Sequence, residues 1–358
     1  MGLIENVYPL NYDLRNCVVK VLSHTDYLVV RARGDKVNSV FLFKENNWVM
    51  THNYQPPLEE LGGYDMVFSR GYLYTAFVQE VANSSDYQLI FRGLLPPDQL
   101  VATATTKISK PALSFDARLT AVFISGKDAL GNWQPIKINN TTENFIHAIY
   151  IFDNQTYQCR QRVPIEKNAE NLFFSGNSRW LVAAGSFLSH LYIIDLWLPN
   201  SQPYFIDLAK PKASTVKHQS RHLVAISEST NLPYLFYLGP NYQPTNPDEI
   251  VRVSKSGIKF YPMLEVGDIL ELLISPDGNY LVGIAGIKAN LPQSWYRQYQ
   301  VIIWNLELRP LHTWGDTRTP VPEPDIHSIG FDSRGRLNIV HTTNNVLQLS
   351  ILEQSPNY

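Results

Sequence analysis

The sequence predicts an all-β chain, and three observations carry that prediction. Aromatic residues reach 12%, with 20 Tyr, 16 Phe and 7 Trp, types that suit a pleated and half-buried surface. The 19 Gly and 23 Pro supply turns at short intervals and interrupt any long helix. Throughout the chain, short apolar runs end in a polar turn and are followed by a strand of alternating apolar residues. Hydrophobic residues make up 44% and charged ones 17% of 358 residues, which fills a core and excludes a disordered or coiled-coil chain. A net charge of -2 leaves no global field to hold nucleic acid or an anionic membrane surface.

The elements follow in order. Hairpins read at VLSHTDYLVVRA (21–32), FSRGYLYTAFV (68–78), FDARLTAVFIS (115–125), FSGNSRWLVAAG (174–185), ISPDGNYLVGIAG (274–286) and FDSRGRLNIV (331–340). In each, Gly, Asp, Asn or Ser supplies the turn conformation, and period-2 apolar positions bury one face. A third strand follows most of them: VNSVFLF, YQLIFRG, HAIYIFDN, HLYIIDL and QVIIWNL. A fourth follows at NWVMTH, QLVATAT, YQCRQRV, PYFIDL and PLHTW. Four antiparallel strands make one blade of a β-propeller. Six steps from Leu22 to Phe331 average about 51 residues, which places an unmarked copy near His218 and predicts seven blades. The expected blades of this single domain, 1–358, are 13–55, 60–107, 110–165, 168–209, 212–264, 267–316 and 325–352 with 3–10. The last unit has three strands of its own, so LIENVYPL at the N-terminus is expected to pair with it and close the ring.

The SPDGNYLVG turn, Ile302-Ile303-Trp304-Asn305, Ile151-Phe152-Asp153 and Ile193-Ile194-Asp195 resemble the hairpins and Trp-Asp strand ends of WD-repeat-like β-propellers. The resemblance spans nearly the whole chain. No Gly-His dipeptide precedes an inner strand, and the units are longer than that family's, so the chain is similar to a divergent member.

Long loops between second and third strands emerge on one face of such a fold and mark where a partner is expected. They span 126–145, 229–249, which has room for a strand of its own, and 287–300. Trp295, Tyr296, Arg297 and Tyr299 in the last, with Trp133 in the first and Tyr242 in the second, are the residue types of binding hot spots. The alternative for each aromatic is that it folds back to pin its own loop. A basic stretch, Lys210, Lys212, Lys217, His218, Arg221 and His222, reads as a solvated connection or as a contact for an acidic partner.

No nucleophile turn, phosphate loop, zinc-protease helix or dinucleotide fingerprint occurs. Cys17 and Cys159 stand apart and read as ordinary thiols, and no cofactor or metal ligand set is expected. His147 and His190 each open a third strand and are expected at equivalent positions one blade apart. The function expected is a non-enzymatic scaffold for a protein or peptide partner, alone or within a multi-subunit complex. The alternative is a funnel-site enzyme of the metal-assisted hydrolase or lactonase type. With no signal segment or apolar run of membrane length, a soluble cytoplasmic location is expected, with no nucleic-acid specificity and no membrane insertion.

Overall fold

The computed structural model describes residues 3–9, 17–21, 27–32, 38–44, 47–54, 64–69, 72–82, 84, 86–93, 98–127, 132–139, 141–169, 171–185, 189–198, 202–207, 224–226, 235–238, 249–254, 257–262, 266–287, 298–315, 325–332, 334–343 and 346–354. β1 (Leu3–Pro9) precedes a first sheet of β2 (Cys17–Val21), β3 (Tyr27–Ala32), β4 (Asn38–Lys44) and β5 (Asn47–Tyr54). β6 (Tyr64–Ser69), β7 (Tyr72–Glu80), β8 (Tyr87–Arg92) and β9 (Gln99–Ala104) build the second. The third is β10 (Ala112–Leu113), β11 (Leu119–Ser125), β14 (His147–Asp153) and β15 (Cys159–Ile165), with β12 (Ile136–Ile138) and β13 (Thr141–Glu143) inserted after β11. β16 (Asn171–Phe174), β17 (Trp180–Ala184), β18 (His190–Asp195) and β19 (Tyr204–Asp207) form the fourth. The fifth is β20 (Val224–Ile226), β21 (Leu235–Leu238), β22 (Glu249–Ser254) and β23 (Gly257–Pro262). β24 (Val266–Ile274), β25 (Tyr280–Ile287), β26 (Gln298–Asn305) and β27 (Pro310–Trp314) form the sixth. β28 (Asp325–Phe331), β29 (Leu337–Thr343) and β30 (Val346–Gln354) make the last sheet, and β1 is its fourth strand. Every pairing is antiparallel, and β1 runs against β30 from Leu3↔Gln354 to Pro9↔Gln348. These sheets fit the blades of a propeller.

Turn chemistry explains why the strands stop where they do. In the third, fourth and sixth sheets a Ser ends the first strand and an Asp or Asn follows two residues later. Ser114 donates to Asp116 (2.7 Å) and accepts the Leu119 N–H (2.9 Å). Ser175 does the same with Asn177 (2.9 Å) and Trp180 (3.0 Å), and Ser275 with Asp277 and Tyr280. The corner residue has a left-handed backbone at Ala117, Ser178 and Gly278, which such a tight turn requires. In the last sheet Asp332 replaces the Ser and itself accepts the N–H groups of Arg334 and Arg336, both at 2.9 Å. At the other hairpin of each sheet, Asp153, Asp195 and Asn305 end the third strand and accept the N–H two residues on. The acidic strand ends of the sequence are therefore turn caps.

The strands fall into two compact units, Met1–Pro56 with Ser214–Tyr358, and Pro57–Ala213. In the second unit, Val78, Leu89 and Phe91 of the second sheet share an apolar layer with Val122, Ile124, Tyr150 and Phe152 of the third. Across the third sheet, Phe123, Ile149 and Ile151 meet Leu181, Tyr192 and Ile194 of the fourth. In the first unit, Val282, Ile284 and Ile303 of the sixth sheet pack on Ile329, Phe331 and Ile339 of the last. Each such side chain, fully buried, contributes about 1.5–3 kcal/mol.

Polar side chains on the first strands join neighbouring sheets. The Leu113 N–H donates to Asp65 at 2.8 Å, the Val21 N–H to Ser328 at 3.1 Å, and the Ile329 N–H to Glu271 at 3.4 Å. Each carboxylate or hydroxyl accepts a first-strand N–H of the adjoining sheet.

Candidate functional site

The insertion after β11 differs from the single open loop that its sequence suggests. β12 and β13 form a hairpin that adds to the outer edge of β9, so the second sheet has six strands. Asn139, with a left-handed backbone, fixes it: its side chain accepts the Thr103 N–H at 2.8 Å and donates to the Val101 carbonyl at 3.2 Å. Ile136 and Ile138 are buried in the layer between the second and third sheets.

Gly126 forms the neck of the insertion. Its N–H donates to the Ile146 carbonyl and its own carbonyl accepts from Gln134, both at 2.7 Å. A Cβ there would stand 2.8 Å from each of the Gln134 and Ile146 carbonyl oxygens, so only glycine fits. The pinched neck brings Lys127 opposite Trp133 across a β-bridge. The Lys127 ammonium lies 4.5 Å from the indole centroid, a cation–π contact. Trp133 stays 53% exposed on an anchored base, the arrangement of a binding aromatic.

Beneath Trp133 lies His147, 6% exposed, in edge contact with the indole at 5.2 Å and tilted on Phe123 at 5.4 Å. Burial pushes its pKa down, and the Lys127 charge adds to the effect. His190 is also held neutral, burial again being the larger cause, but its Nε2 meets the Asn168 carbonyl and its Nδ1 the Ser189 hydroxyl, both at 2.9 Å. The two imidazoles are not at equivalent positions. Asp153 follows His147 by six residues and Asp195 follows His190 by five, so the rings leave opposite faces of their sheets and both line the layer between the third and fourth.

Tyr299 is not in a loop. It sits in β26 opposite Gly286 and packs half-buried against the layer between the sixth and last sheets. Trp295, Tyr296, Arg297 and Tyr242 lie outside the described residues, as does the basic stretch from Lys210 to His222.

A second aromatic surface has no counterpart in the sequence reading. At the turn after β18, Trp197 is 62% exposed, with Leu198 exposed next to it in the chain. Arg179 lies over Trp180 at 4.6 Å and over Trp197 at 5.1 Å, and its guanidinium grips Asp195 at 2.8 Å. This surface belongs to the end of the fourth sheet where third strands turn into fourth. Trp133 belongs to the other end of its own sheet, where second strands pass to third.

Serine, histidine and a carboxylate do come together in the first unit. The Ser350 hydroxyl donates to Glu5 at 2.6 Å and accepts from His341 Nε2 at 2.9 Å, while Thr343 donates to His341 Nδ1 at 3.0 Å. Trp314 of the sixth sheet also donates to Glu5, at 3.0 Å. A nucleophilic serine gives its proton to histidine; here it gives it to Glu5 and is wholly buried, so the chain of bonds fastens β1. Burial pushes His341 down to about 4, against the pull of the Glu5 carboxylate. An unfolded histidine titrates near 6.5, so as pH falls the unfolded chain takes the proton first. The stabilisation is complete above pH 6.5 and is lost on descending to about 4, about 3 kcal/mol in all. Denaturant titrations across this window should show a markedly shallower pH dependence for His341→Gln; an unchanged slope would contradict the assignment.

Among the described residues no group of three His, Cys, Asp or Glu is placed to hold a metal. Nor is any described helix long and apolar enough to cross a membrane. No family model matches the chain, and no curated protein does. Similar solved structures include Kuenenia stuttgartiensis hydrazine synthase, at 14% identity and TM-score 0.44, over 79% of this chain and 77% of that one. Another is a mitotic checkpoint complex, at 10% identity and TM-score 0.49, over 98% of this chain and 91% of that one.

Proposed function

We propose that the sheets are seven blades of one propeller, closed by β1, and that the protein is a non-enzymatic scaffold, cytoplasmic, for a protein or peptide partner. The partner binds the face where second strands pass to third. The observation that carries this reading is Trp133: a half-exposed indole on an anchored hairpin, fixed in orientation by Lys127 and His147 before any partner arrives. Trp295, Tyr296 and Arg297 fall in sequence between β25 and β26, and Tyr242 between β21 and β22; we take them as further contacts for the same partner.

The first-strand carboxylates favour the scaffold over a funnel-site enzyme. Asp65 and Glu271, which a hydrolase would aim at substrate or metal, accept backbone N–H groups of the neighbouring sheet. The test is affinity capture with the intact protein and a Trp133→Ala bait, each checked by thermal melting. The variant should lose a stoichiometric partner while its stability changes by about 1 kcal/mol or less. Equal capture by both baits would refute the role of Trp133.

A further inference from the structure

β1 is held by its sheet without being tied into it by the chain. β5, β15, β19, β23 and β27 each follow in sequence the strand they pair with, so the connection itself keeps each beside its neighbour. β1 instead pairs with β30 at the other end of the chain, Glu5 meeting Ser350 across 345 residues. The next described strand after it, β2, belongs to a different sheet. β1 can therefore leave its seat, and an identical strand can take its place, without any hairpin of the last sheet being broken.

The hold on β1 is of a kind that another copy of it reproduces. Among its described side chains Asn6 and Tyr8 are half-buried and Glu5 and Val7 exposed, so none is an apolar anchor sunk in a core. The ladder along β30 supplies one part of the hold. Glu5 supplies the selective part: its Oε1 accepts from the Ser350 hydroxyl at 2.6 Å and from Trp314 Nε1 at 3.0 Å. Ser350 is wholly buried and itself accepts from His341 Nε2 at 2.9 Å. A strand with no acid at this place would leave that buried hydroxyl without its acceptor.

We propose that the seat exchanges strands between two copies of this chain: β1 of one copy lies along β30 of the other, with its Glu5 on Ser350 and Trp314 there. The incoming strand is identical to the outgoing one, so exchange restores each contact that opening breaks and leaves no bare edge on β30. A foreign strand can join the ladder, but it must also bring an acid to the position of Glu5, which the N-terminus of a second copy does by construction. The inference goes beyond the scaffold reading and does not rest on it.

The test uses the full chain with Cys17 and Cys159 replaced by Ala, in two versions, Leu3→Cys and Gln354→Cys, positions that face each other in the β1–β30 register. Mixed at high concentration, left to exchange and then oxidised, the two versions should form a disulfide-linked heterodimer well above either homodimer. A single chain carrying both substitutions should close on itself, which checks the pairing. Glu5→Ala in both versions should speed heterodimer formation about tenfold, since opening no longer breaks the two bonds to the carboxylate. The proportion of dimer before oxidation, read by light scattering, should stay the same, since closed and exchanged forms lose the same contacts. No heterodimer from a mixture whose doubly substituted chain closes would overturn the proposal. So would an unaltered rate with Glu5→Ala, or a doubly substituted chain that fails to close.

Discussion

Removing residues 1–12 should cost about 3 kcal/mol or more of unfolding free energy and should make the protein self-associate. β1 is the fourth strand of the last sheet, paired with β30 over seven residues. Without it the edge of β30 presents unpaired N–H and C=O groups on a strand whose Leu347, Leu349, Ile351 and Leu352 are buried, a ready template for another chain. Glu5 leaves with β1, so the buried Ser350 hydroxyl and the Trp314 N–H both lose their acceptor, at about 1–3 kcal/mol for a buried orphan. Denaturant unfolding and light scattering measure the two effects. Glu5→Gln, which keeps an acceptor and the strand, should be milder and remain monodisperse. A truncated chain as stable and as monodisperse as the intact one would contradict the role assigned to β1.

Gly185→Ala is expected to cost about 3 kcal/mol, at the upper end of overpacking. A Cβ at this position falls inside the His190 ring, on Cε1, Nε2 and Nδ1. The ring cannot swing aside cheaply. Asn168 and Ser189 hold its two nitrogens, and Tyr192 and Phe205 flank it at 5.6 and 5.9 Å. The Gly185 N–H is also bonded to the His190 carbonyl at 3.0 Å, so the two backbones cannot part. In a double-mutant cycle, His190→Ala should relieve part of the loss, giving a coupling of about 1 kcal/mol or more. A single substitution that changes stability by less than about 0.5 kcal/mol would show that the ring yields.

What the sequence makes legible divides along local and non-local lines. The Ser114, Ser175 and Ser275 turns are written within five residues each, so composition and period alone expose them. The need for β1 is legible because the last unit has three strands and LIENVYPL has no hairpin of its own. The β12–β13 hairpin is not legible. Its strands are three residues each, too short to show alternation, and its stability comes from β9 and from the buried faces of Ile136 and Ile138. β21 is partly legible: its four residues fall inside 229–249, which reads as a loop with room for a strand, and the structure places that strand at Leu235–Leu238.

The candidate site shows the same division. Trp133 stands out by residue type within a long insertion, but its partners Lys127 and His147 are brought to it by the Gly126 neck, a backbone contact that no local motif records. Trp197 escapes notice because it directly follows Asp195-Leu196, where a strand end and its turn account for every residue. Its prominence depends on Arg179, eighteen residues earlier in the chain and adjacent only once the hairpin has formed.

In the proposed scaffold the partner is held at the Trp133 end of the sheets rather than at the Trp197 end. Affinity capture from native extract, with intact, Trp133→Ala and Trp197→Ala baits side by side, tests it directly. One stoichiometric partner should be recovered by the intact and Trp197→Ala proteins and lost from Trp133→Ala. Loss from Trp197→Ala with full recovery by Trp133→Ala would contradict it and move the working surface to the opposite end.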